Sequence, residues 1–343
     1  MNIALFDAKE YDISSFEKYS KERDINIKYF DVKLTKDTVS LAKGFDGVCV
    51  FVNDSLDEEV MNKLYEYGIK AIFLRCAGFN NVDLHAAFKK LHIYRVPSYS
   101  PHAVAEHAFA LLQTSNRRIH KAYNRVRDYN FSLVNLTGMD LYGKTVGVIG
   151  TGKIGRCFID IAKGYGMNVI SYDKFPSEID GVKNVDLNNL FKESDIISLH
   201  CPLTNENMHM INSESISKMK KGVIIINTSR GALIDSKALL DGIKSRHIGA
   251  ACLDVYEEES DIFYTDKSNH ILNDNNLLQL IAMPNVLITS HQAFLTNEAL
   301  SNIADTTTQN IIDFYNGKIS ENELCYHCAN IENCKKKRNM KCF

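Results

Sequence analysis

At 343 residues, with 40 basic and 42 acidic side chains and a net charge of −2, the chain is long enough for two domains that each bury a core. The near balance of interspersed charge gives no electrostatic case for nucleic acid or a membrane surface as the main partner, and no apolar run approaches a membrane span in length. The opening MNIALFDAKEYD reads as a buried strand rather than a signal peptide, so a cytoplasmic location is expected.

Apolar runs predict strands near Asn2–Phe6, Asn26–Phe30, Gly47–Val52, Ala71–Leu74 and Ile93–Val96. Helical patterns lie between them, an alternation that implies a parallel, doubly wound sheet. From Pro101 an uninterrupted helix is expected to about Asp128, connecting two domains.

The run VGVIGTGKIG (Val146–Gly155) then feeds an apolar strand into Gly150, Gly152 and Gly155 at G-x-G-x-x-G spacing. In a βαβ unit this spacing is a dinucleotide fingerprint: Gly150 allows the tight turn, Gly152 lets the backbone approach a pyrophosphate, and Gly155 seats the helix close to the strand. The next strand, Asn168–Tyr172, ends in Asp173, 18 residues after Gly155 and near the offset of about 20 at which a carboxylate meets the adenosine ribose. A carboxylate there accepts from free ribose hydroxyls and repels a 2′-phosphate, which favours NAD over NADP.

Further strands are predicted near Asp195–Leu199, Gly222–Asn227, Gly249–Asp254 and Val286–Thr289, completing a second α/β sheet. A last helix from Asn297 to about Tyr315 needs a packing partner. The economical arrangement returns the chain to the first domain, so that residues 1–100 and 297–343 form one domain and 101–296 an insertion.

Ionisable residues follow three of these strands. Arg230 precedes a glycine turn, Asp254 is followed by the acids Glu257 to Glu259, and His291 lies just past the last strand. Singly, each has a structural explanation, as a surface cation, a solvated acid or a core histidine. Jointly, beside a nicotinamide, they meet what hydride transfer to a 2-oxo acid requires. Arginine offers a planar, permanently charged fork for a carboxylate, and an imidazole exchanges the proton at the carbonyl oxygen. A neighbouring carboxylate orients that imidazole and favours its protonated form.

The segments LRCAGFNNVDL (74–84), RVPSYSPHAVAEHA (95–108), GVIGTGKIG (147–155), SLHCPLT (198–204), NTSRGALID (227–235), LDVYEEE (253–259) and HQAFLT (291–296) occur in this order. With them the chain resembles the NAD-dependent D-2-hydroxyacid dehydrogenases, and among these the bacterial fermentative D-lactate dehydrogenases. The resemblance implies a Rossmann NAD-binding domain inserted into a flavodoxin-like catalytic domain, with the active site between domains and a homodimer or homotetramer as the assembly. It implies Arg230 as substrate binder, His291 as acid/base and Glu259 as its carboxylate partner. The backbone of Cys76, Ala77, Gly78 and Phe79 would hold the substrate carboxylate, with Tyr99 and Phe294 lining the pocket. Lys153 and Ile154 would join Gly150, Gly152, Gly155 and Asp173 on the cofactor, with Cys201, Pro202, Asn207, Thr228, Ser229 and Asp254 along the cofactor cleft. The activity so implied is reversible reduction of pyruvate to D-lactate, with larger branched 2-oxo acids as the alternative substrate and an NAD(H)-sensing binding protein as a reading of another class.

Five of the nine cysteines, Cys49, Cys76, Cys157, Cys201 and Cys252, sit singly in or beside apolar stretches as small core residues. After Leu324 the chain departs from the family pattern with Cys325, Cys328, Cys334 and Cys342 at C-x2-C-x5-C-x7-C spacing. Four thiolates so placed can ligate zinc or an iron–sulfur cluster; the alternative is a basic tail with free thiols.

Overall fold

The computed structural model describes residues 1–326 and divides into two compact units, one formed by Met1–Ser100 with the chain from Leu295 onward, the other by Pro101–Phe294. The first unit opens with β1 (Asn2–Leu5), α1 (Glu10–Glu22), β2 (Asn26–Tyr29), β3 (Gly47–Val50), α2 (Glu58–Glu66), β4 (Ala71–Leu74), α3 (Leu84–Ala87) and β5 (His92–Tyr94). Strands β3 and β4, reading GVCV and AIFL, are buried along their whole length, as parallel strands covered on both faces must be.

The second unit runs α4 (Pro101–Arg117), α5 (Ile119–Arg127), β6 (Thr145–Ile149), α6 (Lys153–Gly164), β7 (Asn168–Tyr172), β8 (Lys183–Asn184) and α7 (Leu187–Glu193). It continues with β9 (Ile196–Leu199), α8 (Ser213–Lys218), β10 (Val223–Asn227), α9 (Ser236–Lys244), β11 (Ile248–Leu253), α10 (Asn275–Ala282) and β12 (Val286–Ile288). Its parallel strands are ordered β12-β11-β10-β9-β6-β7-β8, so the winding reverses between β6 and β9 and opens a crevice at their carboxyl ends. The expected single helix from Pro101 to Asp128 is two helices. Arg118 adopts a left-handed backbone (φ 51°), which an α-helix cannot pass through, and the chain breaks there between α4 and α5.

The chain then re-enters the first unit as α11 (Asn297–Tyr315), started by the Thr296 hydroxyl accepting from Ala299 N, and ends its described part with β13 (Glu323–Leu324). Helix α11 packs on α1 and β4. Tyr19 and Ser301 share a hydroxyl hydrogen bond of 2.7 Å, and Arg23 pairs with Asp305. The first sheet has the order β13-β5-β4-β3-β1-β2; β13 is antiparallel to β5 and all other pairs are parallel. Cys49, Cys76 and Cys252 are buried, whereas Cys157 and Cys201 are half-buried. Among the described residues no helix is long and apolar enough to cross a membrane. Of the four tail cysteines only Cys325 is described, and it is buried beside β13; Cys328, Cys334 and Cys342 lie outside the described residues. No group of three or more possible metal ligands occurs among the described residues.

Candidate active site

Within the second unit the chemistry-bearing residues gather where strands end. At the close of β6, Gly150 takes φ 96°, and a Cβ there would lie 2.6 Å from the carbonyl of His200 across the crevice. A Cβ on Gly155 would lie 2.0 Å from Gly150 O, so the first turn of α6 rests directly on the strand end. Gly152, the residue before α6, has nothing within 4 Å of such a position and offers no side-chain cap. The helix therefore presents uncapped N–H groups, with Lys153 and Ile154 in its first turn, to open space: a cradle for a phosphate group.

Asp173 follows β7 and faces this turn. Its carboxylate accepts from Thr151 N at 2.6 Å, from the Thr151 hydroxyl at 3.0 Å and from Phe175 N at 2.9 Å. Burial alone would raise its pKa; the bonds from Thr151 and Phe175 outweigh it and hold the group below the usual carboxylate range. A carboxylate has about four acceptor sites, so one remains for a ribose hydroxyl.

The crevice wall after β9 is built by Cys201, Pro202 and Asn207. The Asn207 amide donates to Pro202 O at 2.8 Å and accepts from Thr204 N at 2.7 Å, tying the loop to itself. Burial pushes the Cys201 thiol up to about 11, which keeps it neutral. After β10, Thr228 Oγ1 is buried without a partner, a polar atom left for something the chain does not itself supply. Uncapped helix, open Gly152, ionised Asp173 and orphaned Thr228 together fit a dinucleotide.

Asn227 shapes the next turn: its side chain accepts from Ser229 N at 3.0 Å and donates to Arg230 O at 2.9 Å, while the Ser229 hydroxyl donates to Leu199 O. Arg230 spends one N–H on its neighbour's carbonyl, Ser229 O at 2.6 Å, and has no carboxylate partner among the described residues. Directly after it, a Cβ on Gly231 would lie 2.1 Å from the carbonyl carbon of Tyr256, so the arginine turn packs on the segment that leads to Glu259. One Glu259 oxygen accepts from Tyr256 N at 2.9 Å and the other meets His291 Nδ1 at 2.7 Å. His291 is held in a left-handed backbone, φ 52°, by its N–H on Asp254 O.

Asp254, fully buried, is the hub of this end of the sheet. Its carboxylate accepts from Thr289, from Gln292 N at 2.9 Å and from Ala293 N at 2.8 Å, and His107 Nε2 lies 3.3 Å away. Burial would raise this carboxyl; the bonds from His107, Thr289 and Ala293 overcome it and hold the group below the ordinary range. Three partners escaped the sequence reading: His107 on α4, Thr289, and Tyr264, whose hydroxyl donates to His291 O at 2.9 Å. His107 lies inside the AEHA segment, but its spacing from Asp254 holds no local signal. Phe294 is buried at the end of the same unit.

The other candidates belong to the first unit. The segment Cys76–Phe79 leaves β4 after Arg75, a buried guanidinium paired with Asp12 at 3.2 Å and bonded to Asp7 O at 2.8 Å. The Cys76 thiol donates to Gly78 O, Arg95 donates to Ala77 O at 3.0 Å, and the same guanidinium stacks over Phe79. Tyr99 is half-buried, its carbonyl accepting from the Asn302 amide.

The family description "D-isomer specific 2-hydroxyacid dehydrogenase, NAD binding domain" matches residues 109–293. The D-lactate dehydrogenase of Escherichia coli K12 is 50% identical over 328 residues, covering 94% of this chain and 100% of that one. A solved apo-structure of D-lactate dehydrogenase from Escherichia coli aligns with a TM-score of 0.87 at 48% identity over 94% of this chain and 100% of that one. A D-2-hydroxyisocaproate dehydrogenase structure aligns at 0.83 with 33% identity over 94% of this chain and 99% of that one. The NAD-complexed D-isomer specific 2-hydroxyacid dehydrogenase of Lactobacillus delbrueckii ssp. bulgaricus aligns at 0.78 with 31% identity over 94% of this chain and 100% of that one. The chain therefore belongs to the D-isomer specific 2-hydroxyacid dehydrogenases, oxidoreductases built on an NAD-binding Rossmann domain.

Proposed function

We propose that the protein reduces pyruvate reversibly to D-lactate, with His291 as the acid/base. The observation that carries this reading is the 2.7 Å pair of His291 Nδ1 with Glu259, set on the same sheet end as the carboxylate-free Arg230. An ionised carboxylate only accepts, so Nδ1 carries a hydrogen and Nε2 is the nitrogen left to exchange one. As imidazolium, His291 gives that proton to the substrate oxygen; as neutral imidazole it takes it from the hydroxy acid. Arg230 supplies a fork for the substrate carboxylate, and the Cys76–Phe79 backbone, Tyr99 and Phe294 keep the substrate-binding roles that the resemblance implies. The Gly150–Gly155 turn, Asp173 and the Cys201–Asn207 and Thr228–Ser229 walls would hold NADH, which would supply the hydride for C2. Asp254 holds the backbone of residues 291–293 in place during either half of the cycle.

A protein named D-lactate dehydrogenase is 50% identical over 94% of this chain, which supports pyruvate as substrate; the likeness to a D-2-hydroxyisocaproate dehydrogenase supports a branched 2-oxo acid as the second reading. Steady-state NADH oxidation with pyruvate and with 4-methyl-2-oxopentanoate separates them, the first reading requiring the higher kcat/KM for pyruvate. Arg230→Ala abolishes turnover with either substrate if the arginine binds the carboxylate; a fully active variant removes it from the mechanism. The exposed apolar residues Ile119, Tyr123, Val126, Phe131 and Leu133 support a homodimer or homotetramer, which light scattering of the purified chain tests.

A further inference from the structure

The loops on either side of the glycine turn are joined by an ion pair that the proposed hydride transfer does not use. Lys174 follows Asp173 after β7, Glu206 stands in the loop after β9, and the Lys174 ammonium donates to the Glu206 carboxylate. The sheet order places β9 and β7 on the two sides of β6, so the pair reaches across the strand end that carries Gly150. Its two loops leave the sheet two strand spacings apart, about 10 Å. Each side chain stands on a fastened loop: the Thr204–Asn207 bond brackets Glu206, and the bonds of Asp173 to Thr151 and Phe175 bracket Lys174.

Three cations border this corner of the cradle: Lys153 and Arg156 in the opening turn of α6, and Lys174. Arg156 donates through Nε to Thr151 O at 3.2 Å and through Nη2 to the Ser177 hydroxyl at 2.7 Å, which ties the helix to the loop after β7. Among the described residues neither Lys153 nor Arg156 meets a carboxylate, whereas Lys174 is answered by Glu206. The hydrogen bond from Lys174, and then its charge, hold the Glu206 carboxyl below the ordinary range. Asp173 repels a 2′-phosphate, and a basic side chain beside it does the opposite. The choice between NAD and NADP is therefore a sum of charges at this corner, and Glu206 enters the sum.

We propose that Glu206 is a specificity-determining residue for the cofactor: by engaging Lys174 across the end of β6, it withholds from the 2′-phosphate of NADPH a cation that adjoins the ribose acid. The proposal rests on Asp173 as that acid. Freed of Glu206, the Lys174 ammonium is a mobile point charge on a flexible stem, suited to a phosphate dianion. NADH carries only a hydroxyl at the 2′ position and gains nothing from it there. The pyrophosphate is common to both cofactors, so a general rise in positive field cancels in the ratio of their Kd values. With side chains 63% and 72% exposed, the pair adds little to the stability of the fold, and either partner can be replaced without unfolding the chain.

Fluorescence titration of the full chain with NADH and with NADPH tests this without turnover. Glu206→Gln is expected to tighten NADPH about fivefold and to leave NADH within about twofold, with thermal unfolding unchanged. The gain should shrink as salt is raised, because the charges are exposed. Adding Lys174→Met to Glu206→Gln should return the NADPH Kd to its wild-type value. Where Asp173 keeps NADPH binding too weak to titrate, the same chains are compared on an Asp173→Ala background. An NADPH affinity that Glu206→Gln raises on neither background, an equal gain for both cofactors, or a gain that survives Lys174→Met would each overturn the proposal. Asp173→Ala alone reads the ribose-acid assignment: an unchanged ratio of NADH to NADPH affinity in that variant sinks the assignment of Asp173, whatever Glu206→Gln does.

Discussion

Replacing Gly231 by alanine tests how the arginine turn and the His291–Glu259 pair are coupled. The new Cβ would lie 2.1 Å from Tyr256 C, 2.2 Å from Tyr256 O and 2.4 Å from Glu257 N. Carbon atoms at rest approach to about 3.5 Å, so one of the two backbones must move by more than about 1 Å. Either movement reaches the chemistry: Arg230 is the preceding residue, and Tyr256 N is the donor that fixes Glu259. Overpacking of this kind costs about 1–3 kcal/mol of stability, and a misplacement of about 1 Å costs about 100-fold in rate. The assay is threefold: thermal unfolding, NADH affinity by fluorescence titration, and kcat with pyruvate. Unfolding should begin several degrees earlier, kcat should fall about 100-fold, and NADH affinity should hold within about twofold, because the glycine turn at 150–155 is untouched. A folded Gly231→Ala protein with wild-type kcat would refute the coupling.

Gly152→Ala is the complementary case: with nothing within 4 Å of its Cβ the variant should unfold like the wild type but bind NADH at least about tenfold more weakly, and unchanged NADH affinity would remove Gly152 from the phosphate cradle. Glu259→Gln keeps an acceptor for His291 Nδ1 but replaces the carboxylate by a neutral amide; pyruvate reduction should slow at least about tenfold with NADH affinity unchanged, and undiminished turnover counts against the pair. Asp173→Ala should erode the preference for NADH over NADPH, measured as the ratio of their kcat/KM values. His200, buried against Phe158, has its pKa driven down to about 3 by burial. Because the unfolded chain takes up this proton near pH 6.5 and the folded one only near pH 3, the stability this neutral histidine contributes is present above pH 6.5 and is lost as pH falls below it. Between pH 7 and pH 5 the loss is about 2 kcal/mol, and His200→Gln should remove that part of the slope in urea unfolding; identical slopes would show that His200 titrates normally.

How far the sequence foretold this arrangement depended on the range of each signal. The fingerprint was legible because strand, turn and helix are contiguous, and the close contacts of Gly150 and Gly155 give it a steric cause. Arg230 and His291 were legible because each follows a strand of parallel-sheet composition, and such strands deliver their carboxyl ends to one side. The break at Arg118 was not, since every neighbour from Pro101 to Asp128 is compatible with a helix and an arginine carries no left-handed preference. The short strands β8 and β13 were missed for a different reason: each has two residues, too few for any periodicity. His107 was hidden because its partners Thr289 and Asp254 are more than a hundred residues away in sequence.

The least legible feature explains the most about the site. A histidine at φ 52° is uncommon, and nothing in NVLITSHQAF requires it. The conformation persists because the end of β12 is fastened to Asp254 at several points: His291 N on the Asp254 carbonyl, Thr289 and the amides of Gln292 and Ala293 on its carboxylate. An ionised carboxylate with no exposed surface is stable only when so many donors converge on it, and that requirement in turn leaves the 289–293 turn few other conformations. His107 brings α4 into the same network, and Tyr264 closes it from the far side through His291 O. His291 therefore owes its position to one buried acid and its tautomer to another, Glu259. The division bears on the proposed catalysis: the fastening of the backbone at φ 52° falls to Asp254 and that of Nδ1 to Glu259, which leaves Nε2 for the proton that the proposed reaction exchanges.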